Sequence, residues 1–184
     1  MEVSVILVRP SNQGNVGAVA RACGNFGVRD LRLVSPCELG EVADKRAMHG
    51  IDILTGASVY DDIGSAVEGV DLLAATSGKA PLHEKRITRN AVTLGEFVKD
   101  LSGFSGRLGI LFGPEDRGLL NDETALAARV VTIPASSSYP ILNLSHAVAV
   151  VLYELFPVLG VSSQQITVTR PASYELKKRL QQRV

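Results

Sequence analysis

Four polar, glycine-rich stretches each follow a short apolar run, and they hold the side chains that could bind or react. The first, Gly14-Asn15-Val16-Gly17, leads into residues spaced for a helix. Glycines there let backbone amides approach an anion at a helix N-terminus. They also suit a tight strand-to-helix turn. Arg21 is the only charge in residues 16–23. Its guanidinium could hold a phosphate, or it could reach water past a packed helix. Asn15 and Arg21 are six apart, on different faces of a helix unless Asn15 caps it. The second stretch is residues 76–79. The third, Phe112-Gly113-Pro114-Glu115-Asp116-Arg117-Gly118-Leu119, sets two acids and an arginine between glycines, which points to a shaped backbone. The fourth runs Ile133-Pro134 through Ser138-Tyr139-Pro140 to Ile141-Leu142-Asn143. Small residues there can present amides and carbonyls to a flat ligand, with Asn143 capping or entering a helix.

Other chemistries find no support. Gly-x-Gly-x-x-Gly, a Gly-Lys-Ser/Thr phosphate loop and a Gly-x-Ser-x-Gly elbow are all missing. His49, His83 and His146 are too scattered to form a metal-ligand pair. Cys23 falls on an apolar helix face and reads as core. Cys37 lies in a loop and carries no mark of reactivity.

Such loops need strands and helices to hold them. Residues 3–8, 30–34, 71–75, 108–112 and 130–133 are apolar or β-branched runs that read as strands, most of them buried on both faces. Helical spacing covers residues 16–26, closed by Gly27, then 41–49, ended by Gly50. It returns at 61–67, 123–128 and 143–155, while residues 51–60 read either way. Thr93 and Glu96 have capping-box spacing and open a helix to about residue 100. The alternation predicts an α/β fold, a mostly parallel sheet with helices on both faces. In such sheets ligands sit beyond the carboxyl ends of the strands, where the four stretches fall.

The 184 residues suit one domain, and 46% hydrophobic with 21% charged residues excludes a disordered chain. Lys+Arg and Asp+Glu are both 19, so the net charge is zero. That excludes a uniformly basic coat for nucleic acid but allows local patches. Residues 76–90 carry +3 and residues 170–184 carry +4. Two cysteines without a Cys-x-x-Cys pair argue against a disulfide scaffold or a zinc ribbon. No apolar run is long enough to cross a membrane, and the first residues lack the features of a signal peptide, so a cytoplasmic protein is expected. The division expected is a domain over residues 1–160, then a linker and short basic helix over residues 161–184.

Taken together, Asn15 and Arg21 with five residues between them, Leu111 to Leu119, and Ile133-Pro134 through Asn143 to Ala147 resemble the three ordered motifs of the SpoU/TrmH branch of the SPOUT RNA methyltransferases. TrmJ-type tRNA methyltransferases are the most similar. The resemblance spans residues 3–159. It implies a deep trefoil knot in the C-terminal part of the sheet, a homodimer with a site shared between protomers, and S-adenosylmethionine as cofactor, with no metal. The implied reaction is methyl transfer to a ribose 2′-hydroxyl of RNA, with tRNA nucleotide 32 of the anticodon loop as the expected target. An rRNA or another tRNA position is the alternative, and a non-catalytic cofactor- or RNA-binding module is a further one. Carried over by motif, Arg21 matches the catalytic arginine, while Asn15, Glu115 and Asn143 match the other motif residues, the last two expected to hold Arg21. Thr76, Ser77, Gly78, Gly113, Ile133, Ile141 and Leu142 match the cofactor wall. Many relatives have a serine where this chain has Ile141.

Overall fold

A strand with no solvent face needs a layer above and a layer below. In β1 (Glu2–Val8) every residue from Val3 onward is buried. The computed structural model describes residues 1–78 and 91–161, and it supplies both layers. The other strands are β2 (Asp30–Val34), β3 (Ser58–Tyr60), β4 (Leu72–Ser77), β5 (Ala91–Thr93), β6 (Arg107–Phe112) and β7 (Arg129–Thr132). They form one sheet in the order β3-β2-β1-β6-β4-β7-β5, and every adjacent pair is parallel. Strand β7 follows β4 and β5 in the chain yet takes the place between them.

The helices are α1 (Gln13–Asn25), α2 (Glu41–Ala47), α3 (Ile51–Thr55), α4 (Ile63–Ala66), α5 (Leu94–Asp100), α6 (Asn121–Thr124) and α7 (Leu144–Leu155). Alternate residues of β1 sort them into two layers. Val3, Val5 and Leu7 pack with the larger core, which takes in α1, α2, α3, α5 and α7. Ile6 and Val8 pack with the smaller core of Ile63, Ala66, Leu111 and Ala127 on the opposite face. The expected parallel sheet with helices on both faces is therefore what forms.

Local signals place most ends. The Thr93 hydroxyl accepts from the Glu96 amide at 3.3 Å, and the Glu96 carboxylate accepts from the Thr93 amide at 2.9 Å, so the capping box is made. The expected helix over 61–67 is a single turn, α4, capped by Asp62. The helix expected over 123–128 is shifted to α6, because the chain must already extend at Ala128, whose amide joins the Leu73 carbonyl at 2.9 Å. Residues 51–60 resolve into α3 and β3.

Gly50 does not stop the helical path. A 3-10 turn over Met48–Gly50 leads directly into α3. Glycine is there because α1 is there: a Cβ on Gly50 would lie 2.7 Å from the Ala20 carbonyl oxygen and 2.9 Å from the Arg21 Cα. Both atoms are backbone, so neither yields cheaply. The basic stretch from Lys79 to Arg89 and the linker and basic helix expected toward the C-terminus, from residue 162 on, lie outside the described residues.

Gly50→Ala should therefore push the 3-10 turn off α1 and cost about 1–3 kcal/mol, the usual penalty of overpacking. Urea unfolding of the variant against the parent measures it, and equal midpoints would refute the close approach.

Candidate active site

The sheet turns outward in both directions from β1, with β2 on one side and β6 on the other. Ligands in such folds bind beyond the carboxyl ends of the strands near this point. A cavity of about 440 Å³ lies beyond the ends of β4, β6 and β7. That is within the size range of small-molecule sites. Thr76, Ser77 and Gly78 line it from the end of β4 and Gly113 from the end of β6. Ile133, Ile141 and Leu142 line it from the segment between β7 and α7. All seven residues expected at a cofactor wall thus share one cavity.

Each wall has a local cause. The Thr76 hydroxyl donates to the Leu111 carbonyl at 2.9 Å and ties β4 to β6 below the cavity. The segment after β6 folds back on Gly113, where a Cβ would lie 2.2 Å from the Leu119 amide nitrogen. Only glycine permits that return.

Beside the cavity, three motif residues meet. Glu115 Oε1 accepts from Asn15 Nδ2 at 2.7 Å. Its other oxygen accepts from the Ser11 amide at 3.0 Å and the Ser11 hydroxyl at 2.8 Å. Asn15 Oδ1 in turn accepts from Asn143 Nδ2 at 3.1 Å. Asn143 is the N-cap of α7, its side-chain oxygen accepting from the Ser145 amide at 2.9 Å. Partial burial pushes the Glu115 carboxyl up, but the hydrogen bonds from Asn15 and Ser11 outweigh it and hold the group below its ordinary 4.5.

Asn15 is free for this role because it is not a cap. Asn12 caps α1, accepting from the Gly14 amide at 2.8 Å and the Asn15 amide at 3.3 Å. Ser11 and Asn12 are thus working parts that motif reading passed over. Asn12 was open to discovery as a capping residue type directly before the helix. Ser11 had no such signal, because its partner is 104 positions away.

Arg21 stands apart from this cluster. It is exposed, and six helical residues beyond Asn15 place it about 240° around α1 and ~9 Å along it. Glu115 and Asn143 were expected to hold Arg21. Within this chain they hold Asn15 instead, since the helix turns Arg21 to another face. Cys23 is buried in the larger core, and that burial pushes its thiol up to about 12. Cys37 is half-buried. His49 and His146 are exposed, and His83 lies outside the described residues. Among the described residues no three potential ligand side chains gather around a metal position, and no helix is long and apolar enough to cross a membrane.

Comparison with known proteins matches residues 2–153 to the model of the SpoU rRNA Methylase family. The tRNA (cytidine-2′-O-)-methyltransferase TrmJ of Methanocaldococcus jannaschii is 41% identical over 155 residues, covering 84% of this chain and 67% of that protein. The tRNA (cytidine/uridine/adenosine-2′-O-)-methyltransferase TrmJ of Pseudomonas aeruginosa is 34% identical, covering 83% of this chain and 60% of that protein. The crystal structure of TrmJ from Z. mobilis superimposes with a TM-score of 0.76 at 34% identity, covering 85% of this chain and 69% of that one. The chain thus spans about two thirds of the length of these three proteins.

Glu115→Gln should lower stability by about 1 kcal/mol at pH 7, because its amide group cannot accept on both sides. A carboxyl with a depressed pKa stabilises fully above its unfolded value and loses that stability as pH falls through the folded one. The gap between parent and variant should therefore close as pH falls below 4.5. Denaturant titrations at stepped pH test this, and a gap constant down to strongly acidic pH would contradict it.

Proposed function

The chain belongs to the SpoU rRNA Methylase family, and on that footing we propose that it methylates the ribose 2′-hydroxyl of tRNA in the cytosol, at nucleotide 32 of the anticodon loop, using S-adenosylmethionine. The observation that carries the reading is the convergence of Asn15, Glu115 and Asn143 by direct hydrogen bonds beside a cavity of cofactor size. The curated relatives named above support tRNA as the substrate, and they differ in which bases they accept.

The cavity fits the cofactor in kind. Ile133 and Leu142 offer apolar surface to a flat base, while Glu115 and Asp116 outnumber Arg117 in the wall and leave it net negative for a cation. When bound, S-adenosylmethionine supplies an electrophilic methyl carbon on its sulfonium. Arg21 grips an RNA phosphate and the neighbouring 2′-oxygen, and its fixed charge stabilises that oxygen as the proton leaves. Guanidinium stays protonated at working pH, so Arg21 is not the base, and the RNA phosphate takes the proton. Asn15, Glu115 and Asn143 hold the starts of α1 and α7 at the cavity.

A homodimer with a shared site explains why Arg21 faces away from its own cluster. Val150 and Tyr153 leave an apolar surface exposed on α7, which packs against α1. A second protomer covering these helices would bring its cavity to this protomer's Arg21. Placement of β7 between β4 and β5 is also what a trefoil threading of the C-terminal part would require.

Labelled methyl transfer to tRNA and rRNA transcripts, followed by nucleoside analysis, is the test. Purified enzyme should form a 2′-O-methylated nucleotide 32 in tRNA, and Arg21→Ala should reduce the rate about 100-fold or more. Label in rRNA alone would overturn the substrate, and an unaffected Arg21→Ala would overturn the mechanism. Tyr153→Asp should halve the mass in sedimentation and abolish transfer. A monomeric variant that stays fully active would dismiss the shared site.

A further inference from the structure

Arg9 is the first residue beyond β1, and its backbone has φ +47°, in the left-handed region that a residue with a Cβ rarely enters. Its amide still donates to the Val34 carbonyl at 2.8 Å. Its side chain crosses to a residue 114 positions later. There Nη2 lies 2.9 Å from Glu123 Oε2 and Nη1 lies 2.5 Å from Oε1. Two-point pairing of guanidinium with carboxylate is among the stronger polar contacts in proteins. The pair is also shielded, with side-chain exposures of 30% and 12%. Glu123 Oε2 further accepts from the Leu120 amide at 2.8 Å. One carboxylate thus fixes the first turn of α6 to its own preceding residue and to the end of β1.

The position of this contact gives it meaning. Residues 113–124 contribute nine of the twenty residues that line the cavity, so this segment is its principal wall. The wall is tethered to residues 9–15 at two points. Upstream, Glu115 holds Ser11 and Asn15. Downstream, Glu123 holds Arg9. Neither Arg9 nor Glu123 belongs to either hydrophobic core, and α6 is only four residues long. Leu119 and Ala127 tie this stretch to the smaller core on either side of α6, and the ion pair adds the polar tether that reaches across to the end of β1.

We propose that Arg9 and Glu123 are positioning residues that set the cavity's affinity for its cofactor by clamping the downstream end of its wall. The proposal rests on the cofactor reading above. It predicts that charge at position 9, beyond mere bulk, holds the wall, and that the strained backbone of Arg9 is retained to aim that charge.

Arg9→Met removes the charge and keeps most of the length, while Arg9→Lys keeps the charge. Calorimetry with S-adenosylhomocysteine on the full chain should show Kd about tenfold higher for Arg9→Met and a smaller rise for Arg9→Lys, which keeps the charge but not the two-point pairing. KM for S-adenosylmethionine should rise with it, while KM for tRNA stays unchanged. Hydrogen exchange needs no ligand: amides of residues 115–120 should exchange about tenfold faster in Arg9→Met, with those of β6 unaltered. A parent that fails to bind S-adenosylhomocysteine would defeat the cofactor reading, and the exchange result would still decide the clamp. The clamp is overturned if exchange in the wall is unchanged by Arg9→Met, if its Kd matches that of a binding-competent parent, or if Arg9→Lys loses as much as Arg9→Met.

Discussion

One carboxylate holds the functional end of this molecule together. Glu115 accepts from the Asn15 side chain and from both the amide and the hydroxyl of Ser11, so a single charged group satisfies three donors. Those donors lie at the start of α1, and Glu115 lies in the segment after β6. Asn15 passes the connection to Asn143, the cap of α7. The start of the chain, its middle and its last described helix therefore meet through polar contacts at one edge of the sheet. Hydrogen bonds to a charged acceptor are stronger and more directional than neutral ones, which suits a joint among loops that apolar packing cannot fix.

The parallel sheet makes this meeting possible. Its neighbouring strands all run parallel, so each described connection between them passes through a helix layer and returns. Every β-to-α turn consequently emerges on the same edge. Gly113 and Gly50 show how tightly the parts are then brought together, each lying where a methyl group would strike backbone. These close approaches place the cavity wall and the Arg21 face of α1 in fixed relation to the sheet.

Helix α1 serves two directions at once. Asn15 looks inward to Glu115 and Asn143, and Arg21 looks outward, because six residues do not complete a whole number of turns. A single helix can thereby organise the cavity of its own chain and offer a cation to whatever covers its outer face. The exposed tyrosine and valine of α7 beside it are of the kind that a protein interface takes up.

The sequence alone determined the α/β class, five of the seven described strands to within a residue or two, the capping box at Thr93 and the residues around the cavity. Those features come from short-range regularities: β-branched runs, helical spacing, and cap and motif residues near one another in the chain. The ends of α4 and α6 and the passage through Gly50 were misjudged, because each depends on a neighbour distant in sequence. The same is true of the site's finer structure. Ser11 meeting Glu115, Arg9 meeting Glu123, and Asn15 in place of Arg21 as the partner of Glu115 and Asn143 were settled only in three dimensions. Side-chain type states what a group can bond. Which group it reaches is decided by the order in which the strands lie side by side, and that order follows from burying the whole chain at once.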